Sequence, residues 1–295
     1  MYFEPKMLKV QTGQIIEFYS NSCSVVSDGK NYKCKILGRI NLVVGDLVKF
    51  ERVNDGGKYQ GIVTKRNDRL TVLHKSKENI KKPIAANISN IGILVTKNPR
   101  TNLEFIDKWI AISINASIEP FIVFNKIDAV ADNEFLNTKN LYEAIEVPAF
   151  SISAKFRTNI ESLKKYLANK TTILVGNSGS GKSTLTTAIT GKEILSRELS
   201  NNQGVHTTSV STLYNSDNIK LIDSPGVRDI GIEHLVQADI ISAFSEINNL
   251  AANCAYPKCA HKNDEGCAVM NGVQNGDIEE SRYNNFIFLS QDNNA

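Results

Sequence analysis

Residues 173–184 read ILVGNSGSGKST. An apolar run from Ile173 to Val175 leads into Gly176-Asn177-Ser178-Gly179-Ser180-Gly181-Lys182-Ser183-Thr184. This is the G-x-x-x-x-G-K-S spacing of a phosphate-binding loop set between a strand and a helix. The three glycines let backbone N–H groups close around a β-phosphate, and the helix N-terminus that follows favours anions. Lys182 is placed to reach the β- and γ-phosphates, and Ser183 offers a hydroxyl to Mg²⁺. The stretch predicts a nucleoside triphosphate site beginning past the midpoint of a 295-residue chain.

Working outward, the apolar strand IKLI runs into Asp223-Ser-Pro-Gly226. An Asp at a strand end can hold Mg²⁺ through water, and Gly226 can present its N–H to a γ-phosphate. Upstream, Asn125-Lys126-Ile127-Asp128 ends the strand PFIVF, and Ser153-Ala154-Lys155 ends VPAFSI. The Asp128 carboxylate can accept both N1–H and N2–H₂ of guanine, whereas adenine offers no matching donor pair. Lys126 is expected along the base and Asn125 as a brace between loops. The Ala154 N–H is expected on guanine O6. In a conventional GTPase the phosphate motifs precede the base-reading ones; here the order is reversed. A site built from loops at one sheet edge depends on where loops sit and not on chain order, so segments 84–170 and 171–230 are expected to form one permuted α/β G domain.

Residues 8 to about 70 carry five short β-branched runs punctuated by Asp28-Gly29, Gly45-Asp46 and Asn54-Asp55-Gly56-Gly57. That pattern predicts a small closed barrel of the OB type. Residues 1–70 hold 12 Lys/Arg against 7 Asp/Glu, and Lys65 to Lys82 is denser still. The basic third suggests an anionic partner such as RNA, or else a solvated linker between domains. Cys23 and Cys34 read as small buried hydrophobes, and the helical pattern 103–116 puts Ile106, Trp109, Ile110 and Ile114 on one face, with Trp109 as core. Thr158 and Glu161 read as a capping box for the next helix. No apolar run approaches a membrane span, and MYFEPKMLKV lacks a secretion signal, so a soluble cytoplasmic protein is expected.

At the C-terminal end, Cys254, Cys259, His261 and Cys267 offer three thiolates and an imidazole, a closed tetrahedral set suited to one structural Zn²⁺. The surrounding residues are otherwise helical in pattern, and Asp277 to Ser290 reads as a last helix that docks on a partner or packs on the zinc module. The domains expected are a barrel over 1–70, a permuted P-loop GTPase domain over 71–235 and a mostly helical zinc-binding domain over 236–295.

On these motifs, with the segments KKPIAANISN, NLEFIDKW, GVHTTS and RYNNF, the chain resembles the RsgA (YjeQ) family of small-ribosomal-subunit-dependent, circularly permuted GTPases. The resemblance implies GTP hydrolysis to GDP, stimulated by the small (30S) subunit, in that subunit's late maturation. It implies 16S rRNA as partner, with no DNA, no membrane and a monomeric chain. Val227 stands directly after Asp223–Gly226, where Ras-like enzymes carry a water-orienting Gln, and an apolar side chain cannot replace it. The resemblance points instead to the segment Gly204–Thr208. There Thr208, or alternatively Thr207, would complete the Mg²⁺ shell, and His206 would position water, the other reading of His206 being a loop residue contacting RNA. A regulatory switch binding protein or messenger RNA, with incidental hydrolysis, is the alternative function. His74 and His234 have no partners at ligand spacing.

Overall fold

The computed structural model describes residues 10–53, 57–77, 80–129, 133–191, 211–224, 227, 230–262 and 264–291. His206, Thr207, Thr208 and Gly226 lie outside the described residues.

The five N-terminal runs form β1 (Val10–Tyr19), β2 (Ser22–Ser27), β3 (Lys30–Ile36), β4 (Leu47–Arg52) and β5 (Gly61–Arg66). They pair in the order β1-β2-β3-β5-β4, and β4 returns to β1 and closes the barrel. Alternation in the sequence explains the closure, because every second residue of β2 and β3 turns inward. Asp28 and Gly29 both have positive φ, as the tight β2–β3 hairpin turn requires. Cys23 and Cys34 face each other across that hairpin, both fully buried. Gly61 is needed beside them, since a Cβ there would lie 2.9 Å from Cys34 Sγ.

Burial pushes both thiols up to about 12, Cys34 also through its neighbour Cys23. A thiol held that far above neutral pH carries almost no thiolate, the reactive form. Native protein treated with iodoacetamide at pH 8 should therefore leave Cys23 and Cys34 unmodified, and both should alkylate once the chain is unfolded in guanidinium. Modification of either in the native state, read by peptide mass spectrometry, would contradict the buried assignment.

The basic stretch after the barrel is not a linker. It is a hairpin, β6 (Val72–Lys77) and β7 (Ile80–Ala86). Its apolar residues Leu73 and Ala85 are buried, and Ala85 bridges Val44 of the barrel. Beside it Arg69 makes a two-pronged contact with the fully buried Asp46, at 2.7 and 2.8 Å. The remaining Asp46 valence accepts the Val43 N–H at 2.8 Å, so the buried charge is paired and hydrogen-bonded as burial demands.

The G domain then alternates strand and helix: β8 (Asn90–Val95), α1 (Leu103–Asn115), β9 (Glu119–Phe124), α2 (Glu134–Ala144), β10 (Ala149–Ser151), α3 (Ile160–Leu167), β11 (Thr171–Val175), α4 (Lys182–Thr190), β12 (Thr212–Ser216) and β13 (Ile219–Asp223). The sheet order is β10-β9-β8-β11-β13-β12, parallel except for β12. The strands are covered on both faces, as parallel sheets must be. Ile91, Ile93 and Val95 point to the α1–α2 side, while Leu94 points to the α3–α4 side. Trp109 is core. Two local expectations fail. Thr158 makes no capping box; its backbone pairs with Ser153, and α3 starts after Asn159 in a left-handed conformation. Ile114, expected on the buried face of α1, is 39% exposed near the C-terminal end of that helix.

One pairing joins the parts. β12 meets β1 of the barrel at Thr212 and Glu17, and Lys220 donates to Gln14 Oε1 at 2.8 Å. The C-terminal module contains α5 (Gln237–Ile241), α6 (Ser245–Ala251), α7 (Ala268–Asn275) and α8 (Glu280–Gln291). α8 does not choose between module and G domain. Phe286 packs on Phe244 and His261, while Arg282, 1% exposed, ion-pairs with Asp107 of α1 and Glu246 of α6. Burial opposes the guanidinium charge, but Asp107 and Glu246 outweigh it and hold the group above its ordinary range. Among the described residues no helix is long and apolar enough to cross a membrane.

Candidate functional site

The sheet explains why four separated motifs meet. The phosphate loop follows β11, Asp223 ends β13, Asn125 follows β9 and Ser153 follows β10. All four strands are parallel, so all four loops leave the same sheet edge, the C-terminal edge where α/β proteins place ligands.

Asn125 is the keystone of the base-reading side. It is 2% exposed. Its Nδ2 donates to Ser180 O at 2.9 Å, and its Oδ1 accepts the Lys126 and Ala154 N–H groups at 2.9 and 3.0 Å. One side chain therefore ties the two base loops to the phosphate loop, which are separated by 55 residues along the chain. Gly181 has to be glycine for this reason. Its φ is +94°, and a Cβ would collide with Asn125 Nδ2. The Ala154 N–H, expected on guanine O6, is held by Asn125 Oδ1 in this structure. Asp128 sits exposed on a single 3-10 turn, Ile127–Ala129, anchored by Ile127 N–H to Ile152 O at 3.3 Å. Its carboxylate is open to a ligand, while Lys155 beside it is also exposed.

On the phosphate side, α4 begins at Gly181 with no side-chain cap. Helix N–H groups without internal partners at such a terminus are an anion cradle. Gly179 and Gly181 both take positive φ, so the chain can wrap with its amides inward. Ser178, Gly179 and Thr184 are exposed around this loop, and Gly176, Asn177 and Ser183 are half-buried. Lys182 Nζ donates to Gly176 O and Asn177 O at 2.7 and 2.9 Å, within the loop it is expected to serve. These features fit a triphosphate. Asp223 is exposed at the end of β13, and Ser224 Oγ lies 2.7 Å from Ser211 Oγ. Val227 is buried in the core.

Residues 96–102, between β8 and α1, form a wall of this site that motif reading overlooks. Lys126 Nζ donates to Asn98 O at 2.7 Å and to Gly179 O at 2.8 Å, and Asn177 Nδ2 donates to Arg100 O at 3.4 Å. Pro99 stands 3.5 Å from where a Cβ on Gly179 would lie. The available signal was positional: KNPRT follows a buried strand and so had to emerge at the same sheet edge.

The Cys/His cluster is equally convergent. The ligand atoms of Cys254, Cys259, His261 and Cys267 all lie within 4.8 Å of one another. Cys254 Sγ is 3.5 Å from His261 Nδ1 and 4.0 Å from Cys267 Sγ, and Cys267 Sγ is 3.7 Å from the same Nδ1. Edges near 3.8 Å are what a tetrahedron with metal–sulfur bonds of about 2.3 Å produces. Burial holds the His261 imidazole below its usual range, against the pull of Asp264, so the ring is neutral and able to ligate. Cys267 caps α7, its Sγ accepting the Met270 N–H at 3.5 Å. Tyr283 of α8 donates to His261 O at 2.7 Å. His74 and His234 belong to no cluster of metal-binding groups among the described residues.

Base-reading loops written before phosphate-binding loops, on one sheet edge between a closed barrel and a Cys/His helical module, define a circularly permuted P-loop GTPase. The RsgA GTPase family model matches residues 66–233. A small ribosomal subunit biogenesis GTPase RsgA of Yersinia enterocolitica is 34% identical over 292 residues, covering 94% of this chain and 83% of the relative. RsgA 2 of Bacteroides thetaiotaomicron is 34% identical over 285 residues, covering 90% and 91%. The crystal structure of YjeQ from Thermotoga maritima superposes with a TM-score of 0.78 at 26% identity, over 97% of this chain and 99% of that one. YloQ, a circularly permuted GTPase, shares the fold with a TM-score of 0.76 at 19% identity, over 98% of this chain and 97% of that one. The chain belongs to the RsgA GTPase family, and its activity is GTP hydrolysis.

Proposed function

We propose that this GTPase binds the small ribosomal subunit and assists its late maturation, with hydrolysis stimulated by the subunit. The observation that carries the reading is the convergence of Asn125–Asp128, Ser153–Lys155, Gly176–Thr184 and Asp223 on one edge, in a chain whose relatives bear the name small ribosomal subunit biogenesis GTPase. In this reading Asp128 selects guanine, and Lys126 packs along the base. Lys182 and the 176–184 amides hold the phosphates. Ser183, Asp223 and Thr208 or Thr207 serve Mg²⁺, and Gly226 senses the γ-phosphate. His206 orients the attacking water, because Val227 cannot. The four-ligand cluster holds one structural Zn²⁺, its spacing being that of a closed tetrahedral site. The basic barrel and the hairpin β6–β7 face 16S rRNA, and the chain acts as a cytoplasmic monomer without DNA or membrane partners.

The test is the rate of GTP hydrolysis with and without purified 30S subunits, in wild type and His206→Ala together. Stimulation of wild type by at least tenfold is expected, and its loss in the variant by about 10²-fold if the imidazole contributes ordinary general-base or positioning catalysis. A rate indifferent to subunits would remove the ribosomal role. An unaffected His206→Ala would remove the histidine and leave the rest.

A further inference from the structure

The 96–102 loop touches two things at once. Toward the nucleotide site its carbonyls receive Lys126 and Asn177, as described above. The loop is internally braced: Thr96 Oγ1 donates to Pro99 O at 2.6 Å, Thr101 N–H to Thr96 O at 2.9 Å, and Thr96 N–H to Thr101 Oγ1 at 3.1 Å. A loop tied in this way moves as a unit with the helix it enters. That helix, α1, is gripped within its first two turns. Tyr142 Oη lies 3.4 Å from Leu103 O and 2.7 Å from Asp107 Oδ1.

Asp107 is fully buried, and α8 supplies two of its partners. Arg282 Nη1 donates to Oδ1, and Asn285 Nδ2 donates to Oδ2 at 2.6 Å. The same guanidinium reaches Glu246 of α6 at 2.7 and 3.3 Å and stacks 4.2 Å from the Phe244 ring. An ion network of this kind is not the cheapest way to glue two helices, because apolar residues of similar volume often hold as well. What it adds is one admissible geometry: every donor meets its acceptor only when α8 sits at one position along α1.

We propose that Asp107, Arg282 and Asn285 are positioning residues for the nucleotide site: they register the Cys/His module on α1, and α1 sets the 96–102 wall against Lys126 and the phosphate loop. Module docking and nucleotide affinity are then coupled, and the coupling must be reciprocal. A partner that shifts α8 would loosen nucleotide, and bound nucleotide would tighten α8. The inference rests on the reading that residues 125–128 and 176–184 bind guanine nucleotide.

The test is release of mant-GDP from the full chain, followed by fluorescence in stopped flow. The variants are Asn285→Ala, which keeps the ion pair, and Arg282→Met, which breaks it. Lys164→Ala, which breaks the exposed Lys164–Glu161 pair of α3, is the control. Zinc content and melting temperature select the variants that are folded. Release should accelerate at least about fivefold in Asn285→Ala and more in Arg282→Met, the lower bound of ordinary allosteric coupling, and stay at the wild-type rate in Lys164→Ala. In wild type, GDP should slow hydrogen exchange of α8 amides. A mere staple would lower the melting temperature and leave both readouts alone, so wild-type release from folded Asn285→Ala with nucleotide-independent α8 exchange overturns the coupling. Failure of wild type to bind mant-GDP at all would instead overturn the site reading, and the coupling with it.

Discussion

Asp128→Asn will convert the protein from a guanine to a xanthine nucleotide binder. Asp128 projects from the 3-10 turn Ile127–Ala129, whose position is held by Ile127 N–H on Ile152 O and by Ala129 N–H on Lys126 O at 3.0 Å. The turn is therefore preorganised, and substitution changes chemistry more than geometry. A carboxylate accepts from guanine N1–H and N2–H₂ together. An amide keeps one acceptor and turns the other into a donor that faces a donor. One charge-assisted hydrogen bond of about 1.5–3 kcal/mol is lost, the other loses its charge assistance and a donor now faces a donor, so GTP affinity should fall roughly 10²–10⁴-fold. Xanthine carries an oxygen at C2, which the new amide N–H₂ can meet, so XTP should bind better than GTP. Competition of labelled GTP and XTP against unlabelled nucleotides measures the exchange. A variant that still prefers GTP would show that another residue reads the base.

The second large effect is metal removal. The proposed zinc centre closes a segment, 254–267, that has little else to hold it: Cys254 and Cys259 are only partly buried, and Tyr256 is 57% exposed. Its contacts with α8 run through ligands, from Tyr283 to His261 O and from Phe286 to the His261 ring. His261 itself has a φ of +58°, a conformation that costs about 1–3 kcal/mol for a non-glycine residue unless its surroundings enforce it. Structural zinc supplies apparent free energies of about 10–16 kcal/mol in small finger peptides, ample to enforce it. One zinc per chain is expected by elemental mass spectrometry. Cys267→Ala, or prolonged chelation of wild type, should release the metal and unprotect α7 amides from hydrogen exchange. The barrel should stay protected, because its core shares no residue with the module. Stoichiometric zinc in Cys267→Ala, or unchanged α7 protection without zinc, would refute a structural role for the metal.

Much of this was legible in the chain before folding. β-Branched runs set between turn signals exposed all five barrel strands, because such residues fit a pleated, half-buried surface. Buried β9 and β11 were legible as short apolar runs, and the four motifs at strand ends marked the candidate site. The hairpin β6–β7 was not, since lysines at 75, 77, 81 and 82 mask its alternation and only Leu73 and Ala85 betray a packed face. The burial of Arg282 was not legible either. A lone arginine on a helix of mixed polarity reads as a surface residue, and only the carboxylates of Asp107 on α1 and Glu246 on α6, both distant in sequence, make its burial tolerable.

The sequence by itself determined the chemistry on offer: a phosphate-loop pattern, a carboxylate proposed to read guanine, a four-ligand cluster and a permuted order. Tertiary structure alone decided how those parts are joined. It assigned Asn125 to hold three loops together, placed residues 96–102 against Lys126, set β1 of the barrel beside β12, and fastened α8 to α1 through Asp107. The physical reason is the same in each case. Motifs record what a side chain can do, which is local and readable from residue type and spacing, whereas hydrogen-bond partners 28 to 206 residues apart exist only once the chain has closed on itself.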